Sequence, residues 1–501
     1  MSDKYYGTYD TPDSKLLIID IDTGFLSIDP AFVKDYIGII ISQCLFETLL
    51  VLDHNSGKPV PGAAKEYSIK DDGKTYVFYL DKNNKWSNGE PVTAFDFEYT
   101  FQRLIAPEIN SCIRSLMCDI VNAEKIMAGT ANSNELGVKA INEYIFEIKL
   151  KKTVSHFAEL MTNPNFAPVP RKTVETYNNE WTNPGILVSN GPFILKSFKQ
   201  DEYILVEKNP YYFNSNRKKI LGIKFLIHKE LIEKLDEYKN NKIHITCNTM
   251  FPYHQINDFQ EYTDFFVEPF LLMSFLFLNL ENNQALKNLK LRQALYYSID
   301  KDYICNKLFN GISSNNDFVP LEINYYESIN QSSFNIEKAK MLMSQISRKT
   351  YNLKIIYADF YPNKDILLYI LRMWKEILNI EVKLEAVTLD CLRERLCEND
   401  FDLCFALIPA RYNDPSMYLQ IFSNHQTLKN ISYNCFLSKA IQSNDAKYKT
   451  MLFKKMNKVL LNTLPAFPLF SGKSIYLKKP YVRNFKIFPC GQFSFRFLDI
   501  D

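Results

Sequence analysis

The stretch DDGKTYVFYLDKNNKWSNGEPVTAFDFEYTFQR, residues 71 to 103, spells out a specific order of structural events. Asp72-Gly73 reads as a turn, and Thr75 to Leu80 alternates apolar and polar side chains like a half-buried strand. Asn88-Gly89-Glu90-Pro91 reads as a second turn. Thr93 then stands where an N-cap is expected, with Asp96 three positions on and Phe97 and Phe101 beginning an aromatic stripe. The unit predicted is strand, turn, helix.

Further stretches follow in a set order: DPAFVKDYIGIIISQCLFETLLVLD from 29, GVKAINEYIFEIKL from 137, APVPRKTVETYNNEWTNPGILVSNGPFILKSF from 167, VEKNPYYFN from 206, LRQALYYSIDKDYICNKLFNG from 291 and YNDPSMYLQIFSN from 412. Together with KWSNGEPVTAFDF, this series resembles the oligopeptide-binding family of extracytoplasmic solute receptors across residues 25 to 490. The resemblance implies an α/β, periplasmic-binding-protein-like fold of two hinged α/β lobes and a smaller inserted one. The discontinuous first lobe would comprise 1–45, 165–268 and 479–501, the inserted lobe 46–164 and the second α/β lobe 269–478. Ligands of this family are enclosed between the two α/β lobes, which close by a hinge.

Length and composition agree with that scheme. A chain of 501 residues exceeds the roughly 250–300 at which one core stops growing, so two or three lobes are expected. A net charge of +2 gives no reason to invoke nucleic acid or a polybasic membrane anchor. IGIIISQCLFETLLVL is interrupted by Ser42, Gln43 and Glu47 and reads as a core segment. The N-terminus MSDKYYGTYD carries no export signal, which fits a cytosolic protein or a mature exported one; the resemblance favours the second, periplasmic or on the outer face of the cytoplasmic membrane. Whether a lipidated cysteine anchors it is left open. The ten cysteines form no CxxC and no zinc-type Cys/His cluster, so buried or unpaired thiols with one or two disulfides are expected, Cys112 with Cys118 among the options. Enteric relatives bridge two positions that align with Leu272 and Pro409, so that bridge cannot form here.

Elsewhere LLIID at 16–20 reads as a first strand, FILKSF, YILVEK, GIKFLIH and IHITC as further strands, and an apolar run from 271 that contains FLFLNL as a central buried strand. NIEKAKMLMSQIS (335–347) and DILLYILRMWKEILN (365–379) show helical spacing and precede the strand patterns LKIIYA and IEVKLEAV; LDCLRERLCEND and FDLCFALI repeat the alternation.

For ligand binding, the resemblance implies a peptide held extended through its backbone groups, with roomy hydrated pockets for its side chains. In peptide-binding relatives an Asp just before a YNEP-like motif pairs with the peptide's α-ammonium. Here FDLCFALIPARYNDP puts Arg411 at that place. Two cations at contact in a closed cleft repel by about 4 kcal/mol at an effective dielectric near 20, so an ordinary free N-terminus is not expected to dock in the usual way. Three readings of Arg411 stay open: neutralisation by Asp414, Asp35 or another carboxylate, a guanidinium fork for a ligand carboxylate or phosphate, or a solvent-facing or misaligned side chain. Pocket aromatics of the family align with Ile113 and Ile408, and a family arginine with Phe405. Lys34, Asp35 and Tyr36 match a ligand-contacting loop, and Phe270 to Ser274, including Leu272, match the opposite wall. Asn248, Leu407, Pro409, Asn413, Asp414 and a Phe470 to Gly472 turn complete the candidate site.

No HExxH, GxSxG, P-loop or GxGxxG occurs, and His244 and His254 flanking Cys247 read as solvated or core residues sooner than as metal ligands, so neither catalysis nor a cofactor is expected. The charge clusters at 151–152 and 217–219 read as solvated faces rather than docking patches. The reading is a monomeric substrate-binding protein of an oligopeptide-type ABC importer, delivering a small peptide or peptide-like ligand to membrane permease subunits. Acidic, N-blocked or cell-wall peptides and non-peptide anions are the candidates that Arg411 suggests. A receptor for a metal chelate, or a non-transporting sensor or chaperone of the same fold, stands as the alternative.

Overall fold

In the computed structural model, the residues described are 15–21, 27–213, 220–227, 231–246, 262–308, 313–329, 333–347, 351–425, 428 and 432–501, with the side chains of 231–233 also left aside. The chain divides into two compact units, one drawn from Met1–Phe251, Glu261–Glu268 and Ser474–Asp501, the other from Pro252–Gln260 and Pro269–Lys473.

The first unit carries β1 (Leu16–Ile21), β2 (Leu50–Leu52), β3 (Pro59–Pro61), β4 (Ala64–Lys70), β5 (Thr75–Leu80), β6 (Val138–Asn142), β7 (Ile145–Lys149), β8 (Phe193–Lys199), β9 (Tyr203–Lys208), β10 (Gly222–Ile227) and β11 (Ile245–Thr246). Two strands follow, β12 (Phe265–Leu278) and β13 (Ser313–Ser314), and the second unit continues with β14 (Leu353–Ala358), β15 (Val382–Val387) and β16 (Leu403–Pro409). Last come β17 (Ala466–Leu477), β18 (Val482–Arg483) and β19 (Asp499–Ile500). The long strands β12 and β17 both contain a boundary between the units, at 268–269 and 473–474.

In the first unit one sheet runs β11-β1-β10-β9-β8, with β1 parallel to both its neighbours and β8 to β10 an antiparallel meander. A second, antiparallel sheet runs β4-β5-β7-β6. Residues 71–103 feed this second sheet. Asp72 and Gly73 take positive φ values of 53° and 86°, turning the chain into β5, which spans Thr75–Leu80 as predicted. Its burial differs from the half-buried expectation: five of its six residues are buried, because β5 sits inside the sheet and its apolar residues are covered on both faces. Gly89, at φ 90°, closes the second turn, donating its N–H to the Trp86 carbonyl at 2.8 Å. The helix Ala94–Ile105 starts behind Thr93, whose N–H and hydroxyl both donate to the Asp96 carboxylate at 2.8 and 2.9 Å. Phe97 and Phe101 are fully buried and pack on Phe146 of β7.

In the second unit the sheet order is β13-β17-β12-β16-β14-β15. The β14 strand is parallel to β15 and β16, and β12 is antiparallel to β16, so the apolar run from 271 lies inside the sheet as its continuous hydrophobicity predicts. Helix Asn363–Leu378 joins β14 to β15 and helix Leu389–Cys397 joins β15 to β16. The first of these buries Ile366, Leu367, Ile370, Trp374 and Leu378 on one stripe and ends at Asn379, whose φ of 54° gives the left-handed cap.

His244 titrates the first unit. The Ile18 N–H donates to its Nδ1 at 2.9 Å, so the ring must stay neutral, and burial followed by the nearby Lys479 ammonium lowers its pKa from 6.5 to about 4. Tyr481 packs edge-on against the ring. The unfolded side chain takes up its proton near pH 6.5 and the folded one only near 4, so stability falls as the pH drops between those values, by roughly 2–3 kcal/mol. Urea midpoints measured from pH 7 to 4 are expected to fall along this window in the wild type and to flatten in His244→Gln.

Candidate functional site

The second unit brings many of the proposed ligand residues to one end of its sheet. Register pairs Leu272 with Pro409, Ser274 with Leu407 and Leu276 with Phe405, and directly paired residues share a face, so these lie on one face. Met273 pairs with Ile408 on the other, where Met273 accepts from Asn315 and Ser471. Ile408 therefore faces away from Leu407 and Pro409, and the candidate residues of this strand divide between two surfaces. Phe405 and Ile113 are both fully buried; Phe270, Leu407 and Ile408 are half-buried and Pro409 is exposed. Leu272 and Pro409 stand directly opposite one another across the two strands, and neither carries a thiol. The nine described cysteines are all free, Cys112 and Cys118 among them, so the disulfide considered between those two is not made.

Phe470 to Gly472, expected as a turn, lies instead within the continuous strand β17. The glycine is there for proximity: a Cβ at 472 would sit 2.7 Å from the Cβ of Leu272. Beside it the Phe470 N–H donates to Ser274 Oγ at 2.9 Å, and the same hydroxyl donates to the Phe470 carbonyl at 3.2 Å. A glycine in a Ser-Gly-Lys-Ser setting reads as a turn in sequence because the neighbouring strand that demands it is some two hundred residues away.

Arg411 follows β16 in the turn that leads to helix Ser416–Leu419. The turn is held from several sides. The Ala410 N–H donates to Leu271 of β12 at 2.7 Å, and Tyr418 Oη donates to the same carbonyl at 2.7 Å. Asp414, 1% exposed, accepts the Ser416 N–H on Oδ1 at 2.9 Å, and Lys449 Nζ lies 2.5 Å from its Oδ2. Asn413 accepts the Asn324 N–H at 2.9 Å. The Asp414 carboxylate is thus engaged by Lys449, and the reading in which Asp414 neutralises Arg411 gives way. Arg411 itself is half-exposed and makes no hydrogen bond or ion pair with another described residue.

In the first unit Lys34 is exposed, and Asp35 caps helix Tyr36–Leu45 by accepting the Gly38 N–H at 2.7 Å. Tyr36 meets Phe493 edge-on at 5.6 Å between ring centres. Asn248, His254, Cys247 and the cluster at 217–219 lie outside the described residues. Among the described residues no group of His, Cys, Asp and Glu is arranged to hold a metal, and no helix is long and apolar enough to cross a membrane. Lys449 and Asn324 escaped the sequence reading. Lys449 is one of several lysines in AKYKTMLFKK, and only the buried carboxylate it meets marks it out.

The sheets and the helices that join their strands make an α/β fold. The family model for bacterial extracellular solute-binding proteins, family 5 Middle, matches residues 58–430, and the chain belongs to this family. It is 28% identical over 498 residues to the periplasmic oligopeptide-binding protein OppA of Salmonella typhimurium, covering 94% of this chain and 90% of that protein. Among solved structures it is similar to an oligopeptide-binding protein, OppAIV, of Borrelia burgdorferi (TM-score 0.85, 27% identity, 97% of this chain and 100% of that one). It is similar also to the murein tripeptide binding protein MppA of Escherichia coli (TM-score 0.85, 26% identity, 97% and 98% covered).

Proposed function

We propose that this protein captures a small peptide or peptide-like ligand outside the cytoplasm and passes it to the permease subunits of an ABC importer. The relatives named for oligopeptides and for murein tripeptide, similar over nearly their whole lengths, support the peptide class. One observation carries the finer reading: Arg411 has no carboxylate among the described residues to neutralise it, while the adjacent Asp414 is already held by Lys449. A half-exposed guanidinium of this kind is free to take a carboxylate or other anionic group of a ligand, and it disfavours an α-ammonium at the same place. Leu272, Leu407 and Pro409, on one face of the β12–β16 pair in the second unit, are the side chains proposed to contact ligand beside it.

Native mass spectrometry of the purified protein, followed by release and sequencing of whatever co-purifies, tests the peptide class. Adducts that fragment as peptides lacking a free α-amine, or rich in acidic groups, are expected. A co-purifying metal chelate, or adducts that contain no peptide bond, would contradict the reading.

A further inference from the structure

We infer that Lys449 is a positioning residue for ligand recognition: through Asp414 it fixes the turn that presents Arg411. The inference deepens the proposed function and rests on Arg411 being a ligand contact. Lys449 sits in helix Ala446–Thr463 and is 2% exposed, a burial at which a lysine is costly unless its charge is met. Its charge is met by Asp414 Oδ2 at 2.5 Å and by the face of Tyr325, whose ring centre is 4.3 Å from Nζ. A hydrophobic residue in place of such a pair would often serve stability as well or better, so the value of the pair lies in the geometry it imposes.

That geometry acts on the turn from both of its ends. Asp414 Oδ1 closes the turn onto the Ser416 N–H while Oδ2 ties it to the helix. The segment that lays Tyr325 over Lys449 lies against the same helix, where the one Thr450 hydroxyl proton is shared between the Tyr325 carbonyl at 3.0 Å and the Ala446 carbonyl at 2.9 Å, and its neighbour Asn324 donates to Asn413 at 2.9 Å. With Ala410 bonded to β12, only Arg411 and Tyr412 lie between two anchored points. The backbone of Arg411 is therefore set by contacts that leave its guanidinium uncommitted among the described residues.

The test is two-dimensional NMR of the full chain labelled with 15N-arginine, with the Nε–Hε signal of Arg411 assigned by its loss in Arg411→Lys. Lys449→Met is expected to move that signal beyond its wild-type linewidth while the signal of Arg103 stays in place. Lys449→Arg, which keeps the charge, is expected to restore it. Should Lys449→Met fail to fold, the near-isosteric Asp414→Asn carries the same expectation. An Arg411 signal unmoved in the folded variant overturns the inference. Titration of Arg411→Ala with N-acetyl-trialanine separates the two ideas: unchanged affinity there, with the signal still moved by Lys449→Met, leaves the positioning intact and removes the ligand role of Arg411.

Discussion

Replacing Asp29 by alanine is expected to destabilise the first unit by about 3–5 kcal/mol, among the largest effects of any single substitution in this chain. The Asp29 carboxylate is 4% exposed and takes four donors. Arg103 reaches it with both terminal nitrogens, at 2.9 and 2.6 Å, the Trp181 indole N–H donates at 2.9 Å, and the Ala31 N–H donates at 2.9 Å. Truncation to alanine leaves a nearly buried guanidinium and a fully buried indole N–H without their acceptor, and both desolvation penalties then fall on the folded state. Urea unfolding measures the effect: the midpoint is expected to fall sharply with little change in slope. A loss under 1 kcal/mol would mean that the network relaxes onto other acceptors and does not anchor the segment around Asp29 to helix Ala94–Ile105.

Much of the fold is legible in the sequence because its determinants are local. The strand β5, its two turns and the Thr93–Asp96 cap lie within thirty residues, and each feature follows from residue chemistry at fixed spacing. The alternation of helices and strands from 335 to 409 is equally plain, since a 3.6-residue stripe such as Ile366, Ile370, Trp374 and an apolar strand run have different periods. The candidate site is less legible because its geometry is non-local. Whether Leu407 or Ile408 shares a surface with Leu272 depends on the register of β16 against β12, which a single sequence does not display. The role of Gly472 depends on Leu272, and the partner of Asp414 is a lysine 35 residues further on.

The second large effect concerns Arg411→Asp. In the wild type a guanidinium at this place attracts a carboxylate and repels an ammonium; the substitution reverses both signs. The Coulomb term for such a contact, about 4 kcal/mol at an effective dielectric of 20, is an upper bound that solvent around this half-exposed side chain reduces. A change of about 1.4–2.8 kcal/mol in each preference, tenfold to a hundredfold in affinity, is the working expectation. The turn itself is expected to survive, because Arg411 makes no bond to the other described residues and Asp414 keeps its lysine.

Isothermal titration calorimetry of the wild type and Arg411→Asp with trialanine and N-acetyl-trialanine therefore tests the assignment most directly. The wild type is expected to bind the acetylated peptide at least tenfold more tightly than the free-amine peptide, and Arg411→Asp to invert that order. Equal affinities in both proteins, or a wild type that prefers the free amine, would contradict the claim that Arg411 selects the ligand.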